Sequence, residues 1–592
     1  MSAHPLFQRI SASLPEEWGD LDLLMYRWVR GHDGPEFVAR LAAAASHAHS
    51  EGHTALALDL AAVRFSASEF ESPMDATLWI DAGEGNAPFV MDGEERFYFR
   101  RYWLAERAVA QAVKRRTEDA VLALPAIAEA RLDALFGGIE TEHTAQQRAA
   151  VRHCVSHRLF VLTGGPGTGK TTTVLRMLLA HCLAAKHVLR IHVAAPTGKA
   201  AQRLVDALRA GHESVITTLP AGDPWHAALA AFTVPEASTV HRLLGHSPST
   251  QSFSRNARKP LQADLVVIDE ASMLDLETLA ALLDATPIEA PIILVGDADQ
   301  LSPVGPGSAL QDVVTALEAR NATALVRLRH SFRAEAALSV INASVQAGDF
   351  IALQAAIKAA GDACRQRALT TQADVSRMLT EWAASLSRSD DVVPLPEDVA
   401  AAQGQAASAL RATRARQLLC AVREGAFGTR QCNASLDRAL RAVAGSAAQG
   451  EWYPGRRVLI NRNDPDSGLF NGDVGVCLAD ADGRLRVWFW ASKAQSEGVR
   501  GVALSALPSF ELAFALTVHK SQGSEYIEVA VLLPPEAEHR ILSRELLYTA
   551  VSRARSTLKL MATPEVLVAC LGRRVDRIGG LHARLKEALG PS

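Results

Sequence analysis

Apolar runs along this chain repeatedly end in abrupt polar or glycine-rich breaks. "LFVL" (159–162) leads into "TGGPGTGKTTT", and "ADLVVI" (263–268) ends in Asp269-Glu270. "APIILV" (290–295) opens into "GDADQLSPVGPG", and "FALT" (514–517) breaks into "VHKSQGSEY". The ends of buried strands in α/β proteins face a crevice, so these breaks are where ligand contacts are expected. Strands that alternate with helices predict parallel sheets. The first 135 residues differ. They carry helical runs such as "EFVARLAAAASHAHS" (36–50) and "RYWLAERAVAQAVKRR" (101–116), with no phosphate loop, metal cage or nucleophile. Near 471–490, "NGDVGVCLADADGRLRVWFW" reads as short strands and turns.

At 592 residues and 48% hydrophobic, the chain has material for several cores. Basic and acidic residues nearly balance, 61 against 65, so any nucleic-acid site is a local groove. The seven cysteines form no CxxC pair, which argues against a disulfide framework or a cysteine-rich metal site. The first residues lack the apolar core of a signal peptide, and no run of 18 apolar residues follows, so a soluble cytoplasmic protein is expected. His47, His49 and His53 are close in sequence but have no further ligand cluster, which weighs against a metal site there.

The strongest chemical signal is the strand, loop and helix at 159–178. Gly164, Gly165, Pro166, Gly167, Thr168 and Gly169 let consecutive backbone N–H groups close around phosphates at a helix N-terminus. Lys170 adds a point charge, Thr171 a hydroxyl for Mg²⁺, and Thr172 continues the cradle. This predicts a nucleoside triphosphate site using ATP and Mg²⁺. Asp269 and Glu270, adjacent carboxylates at a strand end, suit a Mg²⁺ ligand and a water-orienting base respectively. Gln300, beyond the next strand, is a neutral group able to register a γ-phosphate.

In this order the motifs resemble motifs I, II and III of superfamily 1 helicases, with "LRHSFRAEA" (328–336) similar to motif IV, 514–526 to motif V and "ELLYTAVSRARSTLKL" (545–560) to motif VI. The resemblance implies two RecA-like lobes and two arginines, Arg333 and Arg553, acting from the second lobe on the γ-phosphate. It makes Gln147 the adenine reader, with Gln146 one residue away as the alternative. Gln522, Gly523 and Glu525 are placed toward the nucleotide. "VAAPTGKAAQRL" (193–204) and "ASTVHRLLG" (237–245) resemble the segments that touch single-stranded DNA, which assigns Thr197, Lys199, Thr239 and His241 to DNA, joined by Thr517, His519 and Ser521 from the other lobe. For each hydroxyl, a local cap or turn bond is an equally ready explanation.

Within that superfamily the chain resembles the RecD family, through segments 41–60, 96–110, 416–433 and 458–476. The implied fold class is α/β, with two RecA-like P-loop lobes, an inserted small SH3-like β domain and a mostly helical N-terminal domain. The expected limits are 1–135 for a partner-docking domain and 136–327 for the first lobe. The second lobe takes 328–455 and 511–572, the insert 456–510 and a C-terminal tail 573–592. Residues 245–262 fall where a pin hairpin sits but carry no strong hairpin signal; 386–407 and 441–452 read as variable linkers. The longer N-terminal extension of stand-alone RecD-like helicases is not expected. The resemblance implies a 5′-to-3′ DNA helicase acting on single-stranded DNA and duplex ends beside RecB-like and RecC-like subunits. A regulatory DNA-dependent ATPase and an RNA-directed helicase are the alternatives. No Lys follows an Asp or Glu by two residues, so a metal nuclease signature is missing and nuclease activity is not expected.

Overall fold

The computed structural model describes residues 18–58, 78–93, 95–118, 123–137, 142–185, 187–320, 322–332, 336–386, 393–445, 450–464, 467–491 and 498–590. Near the N-terminus, helices Asp20–Gly31 and Glu36–Ser50 cover a four-stranded sheet, so this region is helical but not only so. Its strands are β1 (Leu56–Ala57), β2 (Ile80–Asp81), β3 (Phe89–Asp92) and β4 (Arg96–Phe99), in spatial order β1-β4-β3-β2. Helix Arg100–Glu118 then turns one apolar face, including Tyr102, Trp103, Val109 and Val113, into a core shared with Leu276 and Leu279 of the next unit and Leu581 and Leu585 near the C-terminus. The N-terminal region is therefore built into the core of the sheet unit that follows it.

The first lobe is a six-stranded parallel sheet. Its strands are β5 (Leu159–Gly164), β6 (Ile191–Ala195), β7 (Ala237–Thr239), β10 (Leu265–Ile268), β11 (Ile292–Gly296) and β12 (Leu325–Leu328). The missing numbers, β8 (His246–Ser247) and β9 (Ser252–Phe253), form a separate antiparallel hairpin. The spatial order is β12-β5-β11-β10-β6-β7. Helices lie on both faces, which is why β5, β10 and β11 are buried along their whole length and read as unbroken apolar runs. β12 completes this sheet through Leu328, one residue past the expected boundary.

The second lobe is a five-stranded sheet interrupted by an insert. Strands β13 (Cys364–Arg367) and β14 (Arg416–Cys420) come first, and the chain then leaves to build β15 (Arg457–Ile460), β16 (Val474–Ala479), β17 (Leu485–Trp490), β18 (Val499–Ala503) and β19 (Phe510–Leu512). It returns for β20 (Ala515–Thr517), β21 (Tyr526–Leu532) and β22 (Ala554–Met561). The second-lobe order is β13-β22-β21-β14-β20, all parallel; the insert is antiparallel, β18-β17-β16-β15-β19. Along β17, Leu485, Val487 and Phe489 are buried on one face, while Arg486, Trp488 and Trp490 alternate onto the other, where helix Val399–Thr413 partly covers the two tryptophans. The insert extends through Leu512, which pairs with Val458.

The linker reading of 386–407 is corrected by helix Val399–Thr413, whose Ala406, Ala407 and Leu410 pack with Val476, Leu478 and Val499 of the insert. An alanine-rich stretch looks like a spacer in sequence, yet its small side chains let a helix lie close to a sheet. Similarly, 441–444 belong to helix Thr429–Ala444. The hairpin β8/β9 closes through Pro248–Gln251, with Gln251 in the left-handed region at φ 50° rather than a glycine, so no turn signature announces it. Among the described residues no helix is long and apolar enough to cross a membrane.

Candidate nucleotide and DNA sites

β5 delivers the phosphate loop directly to helix Lys170–Ala184. Gly169 has φ 82°, and a Cβ there would lie 2.4 Å from Gln147 Nε2, so only glycine lets that side chain approach. Gln147 is buried and donates to the Thr168 carbonyl at 3.1 Å, whereas the Gln146 side chain accepts from the Arg329 amide. Of the two glutamines, Gln147 is the one that touches the loop. Lys170 Nζ lies over the loop, donating to the carbonyls of Gly164 at 2.6 Å and Gly165 at 3.0 Å. Thr168 Oγ1 closes the turn onto the Gly165 carbonyl.

β10 ends at Asp269 and Glu270. Glu270 has φ 51°, a left-handed conformation that costs a non-glycine residue about 1 kcal/mol or more and concentrates at functional sites. Its amide donates to Asp269 Oδ1 at 2.9 Å. Burial, and then the Glu270 charge, raise Asp269 above the usual carboxylate range, with Lys170 opposing. Oxygen donors of this kind, together with the Thr171 hydroxyl, are the set a hard divalent cation prefers.

β11 supplies Asp297, which is buried and raised by that burial against the pull of Lys170. Gln300 Nε2 donates to Asp297 Oδ2 at 2.8 Å. Gln300 Oε1 is buried without a hydrogen-bond partner, and so is Ser272 Oγ beside the carboxylate pair. Orphaned polar atoms at this depth are costly and mark a place where a polar ligand is expected.

The second lobe meets this site at the same loop. Tyr548 donates its hydroxyl to Asp297 Oδ2 at 3.1 Å, and a Cβ on Gly165 would come within 2.8 Å of that hydroxyl. Thr549 Oγ1 accepts from the Leu301 amide, and Gln522 Nε2 donates to the Leu301 carbonyl. Gly523 comes close to Glu270, whose Oε1 would lie 3.6 Å from a Cβ there. Glu525 instead pairs with Arg555 at 2.8 Å. Arg553 is buried in its own lobe, donating to the carbonyls of Thr549 and Ser524 and to Ser552 Oγ. To reach a phosphate it must leave these partners. Arg333 lies outside the described residues. Its neighbour Phe332 is half exposed, donates its amide to the Gly167 carbonyl and carries its ring near Gly169 and Gln147. Sequence spacing does not mark Phe332 or Tyr548; an aromatic next to Arg333 is the available signal for the first, and none distinguishes the second from a core tyrosine.

A second face of the cleft carries the residues assigned to DNA. Lys199 Nζ spans the lobes to Ser524 Oγ at 3.1 Å, and burial, then Arg414 and Arg203, lower its ammonium to about 8. Arg411 and Arg414 lie over the Trp490 ring of the insert at 5.8 and 5.9 Å, and Phe470 packs near Gly198. Lys199, Arg203, Arg411 and Arg414 thus gather near Trp490, a local concentration of positive charge inside a chain of net charge −4. Thr197 and Thr239 cap helices by accepting from Ala200 and Arg242, and Thr517 accepts from Lys520, so all three hydroxyls have local duties. Ser521 is buried and bonds to the Val518 carbonyl. His519 is partly buried with its pKa lowered by that burial, while His241 is exposed and packs with His246 and Phe253 of the hairpin. His47 faces Asp22, His49 meets the His53 carbonyl and Tyr102, and His53 accepts from the Ile578 amide. Among the described residues no group of three or more metal-ligating side chains is assembled.

Residues 147–306 match the family model of an AAA domain, and residues 512–561 that of a UvrD-like helicase C-terminal domain. The chain is 36% identical over 524 residues to the RecBCD enzyme subunit RecD of Mycolicibacterium smegmatis, covering 85% of each. It is 29% identical to the RecD subunit of Haemophilus influenzae over 83% of this chain and 80% of that one. It is also 31% identical to the ATP-dependent RecD2 DNA helicase of Deinococcus radiodurans, over 85% of this chain and 59% of that one. With the phosphate loop, paired carboxylates and two parallel-sheet lobes in place, these relatives show that the chain belongs to the RecD family of superfamily 1 helicases.

Proposed function

We propose that this protein is an ATP-driven motor that tracks single-stranded DNA 5′ to 3′ and unwinds duplex ends in recombinational repair, as one subunit beside RecB-like and RecC-like proteins. The observation that carries the reading is the meeting of both lobes on the loop Asp297–Leu301, within reach of Lys170. A nucleotide bound at Lys170 then bears on both lobes at once. Gln147 reads the adenine, with the Phe332 ring, edge-on to His330, near the same glycine. Lys170 and the loop amides hold the phosphates, and Glu270 orients the attacking water. Thr171 and Asp269 would hold Mg²⁺, which would neutralise charge on the phosphates. Arg553 and Arg333 come onto the γ-phosphate as the lobes close; an arginine in that role is worth about 10³–10⁵ in rate. Lys199, Thr197, Thr239, His241, Thr517 and His519 line the DNA path, with Arg203, Arg414 and Trp490 beside them. The 5′-to-3′ direction is drawn from the likeness of the insert to that of the insert-bearing helicases, and the protein partners from the names of the RecBCD relatives.

The test is ATP hydrolysis by the full chain with single-stranded DNA or RNA, followed by unwinding of 5′-tailed and 3′-tailed duplexes. Stimulation by DNA, unwinding of the 5′-tailed duplex and loss of both in Lys170→Ala are expected. Hydrolysis without unwinding would favour a regulatory ATPase; preference for RNA would favour the RNA-directed reading.

A further inference from the structure

Beyond β22, the chain does not end as a loose tail. Residues 573–580 leave the second lobe, where the Arg544 amide bonds to the Arg573 carbonyl at 2.8 Å and the Val575 amide to Glu545 Oε2 at 2.9 Å. They then cross to the first lobe and the N-terminal region. Ile578 exchanges bonds with His53 and Thr54, the Gly580 amide reaches Glu106 at 3.0 Å, and helix Leu581–Leu589 packs on helix Arg100–Glu118. At the centre of this crossing, the Arg577 guanidinium donates to three carbonyls of one loop: Pro303 at 2.5 Å, Gly307 at 3.0 Å, and Gly305.

That loop is the continuation of Gln300. Its start is held by second-lobe side chains, Thr549 and Gln522 on the two sides of Leu301. Its end is held by Arg577. Three carbonyls converging on one planar fork form an arrangement that a single ammonium cannot reproduce, because the fork fixes direction as well as charge. The Gly307 amide is also tied to the Gly52 carbonyl of the N-terminal region, 2.9 Å away. The loop therefore has few ways to move except with the strap.

We propose that Arg577 is a positioning residue for ATP turnover: by clamping Pro303, Gly305 and Gly307 it holds the loop so that Gln300 faces the nucleotide when DNA engages the second lobe. This rests on the ATP-driven motor reading above. Arg577 acts through Gln300 and touches neither nucleotide nor DNA.

The experiment compares the full-length wild type with Arg577→Ala and Arg577→Lys, measuring DNA-stimulated kcat, affinity for a fluorescent ATP analogue, and thermal midpoint. Both variants are expected to lose at least about fivefold in kcat while nucleotide affinity stays within about twofold and the folded state is retained. Unchanged kcat in Arg577→Ala, or full recovery in Arg577→Lys, would overturn the clamp. A parallel fall of kcat, nucleotide affinity and thermal midpoint, or failure of both variants to fold, would make Arg577 a stability residue and overturn it too. Absence of DNA-stimulated hydrolysis in the wild type would instead remove the motor reading, and this inference with it.

Discussion

Tyr548 of the second lobe and Gln300 of the first donate to the same oxygen, Asp297 Oδ2, at 3.1 and 2.8 Å. One buried carboxylate is thus shared between the group expected to register the γ-phosphate and a residue carried by the opposite lobe. Any shift of the second lobe changes the bond competing with Gln300. Tyr548→Phe should lower DNA-stimulated turnover by about tenfold, since a hydrogen bond to a charged group is worth about 1.5–3 kcal/mol, only part of which is specific to the transition state. Steady-state hydrolysis with and without DNA checks it; an equal loss in both would mean that the tyrosine merely supports the site.

Arg553 is held by three partners of its own lobe. If it moves onto the phosphates during closure, Arg553→Ala should cut turnover by about 10³-fold or more and leave nucleotide binding nearly intact. Near-normal hydrolysis in the purified variant would exclude Arg553 from that role.

Lys199 offers a pH signature. Its ammonium is lowered to about 8, so it loses charge as pH rises through that value. A phosphodiester favours the charged form, so DNA binding takes up a proton above pH 8 and weakens toward pH 9. Losing one such contact, worth about 1 kcal/mol, corresponds to about fivefold in affinity. Fluorescence anisotropy at pH 7 and 9 reads this directly, and Lys199→Arg should flatten the dependence.

The hairpin β8/β9 projects two residues per strand and packs His246 and Phe253 against His241. If it splits the duplex, replacing 246–253 by a short Gly-Ser turn should spare DNA-stimulated hydrolysis and reduce unwinding of a 5′-tailed duplex. Equal loss of both activities, measured side by side, would make the hairpin a support for the first lobe.

Helix Asp20–Gly31 presents Leu21, Leu24 and Trp28 to solvent, at 64%, 58% and 46% exposure. Apolar side chains collected on one helix face suit a stable protein interface. Deleting the whole N-terminal region would strip Tyr102, Trp103 and Val109 from the motor's core, so a surface change is the cleaner test. Leu21→Glu combined with Leu24→Glu should abolish co-purification with RecB-like and RecC-like subunits while hydrolysis persists. Undiminished co-purification would move the interface elsewhere.

The motor's two sheets and the phosphate loop were legible in the sequence because their causes are local. Strands buried on both faces must be written as apolar runs, and a phosphate loop needs its glycines, lysine and threonine at set spacing next to a strand and a helix. Asp269, Glu270 and Gln300 are expected at the site from their places at strand ends, and Gln147 from the helicase resemblance. What the sequence left unread depends on residues far apart along the chain. Tyr548 and Asp297 are separated by 251 positions, and Arg577 and Pro303 by 274. Residues 386–407 read as a linker because the alanines of helix Val399–Thr413 have meaning only against the insert sheet that they touch. Arg553, assigned by resemblance to the γ-phosphate, and Ser521, assigned to DNA, both bond within their own lobe in this structure, a placement that only tertiary packing decides. Spacing along a strand determines where a side chain can begin; which partner it finds is decided by the other lobe, the insert and the C-terminal strap, because those alone set the desolvation and the hydrogen-bond geometry that it meets.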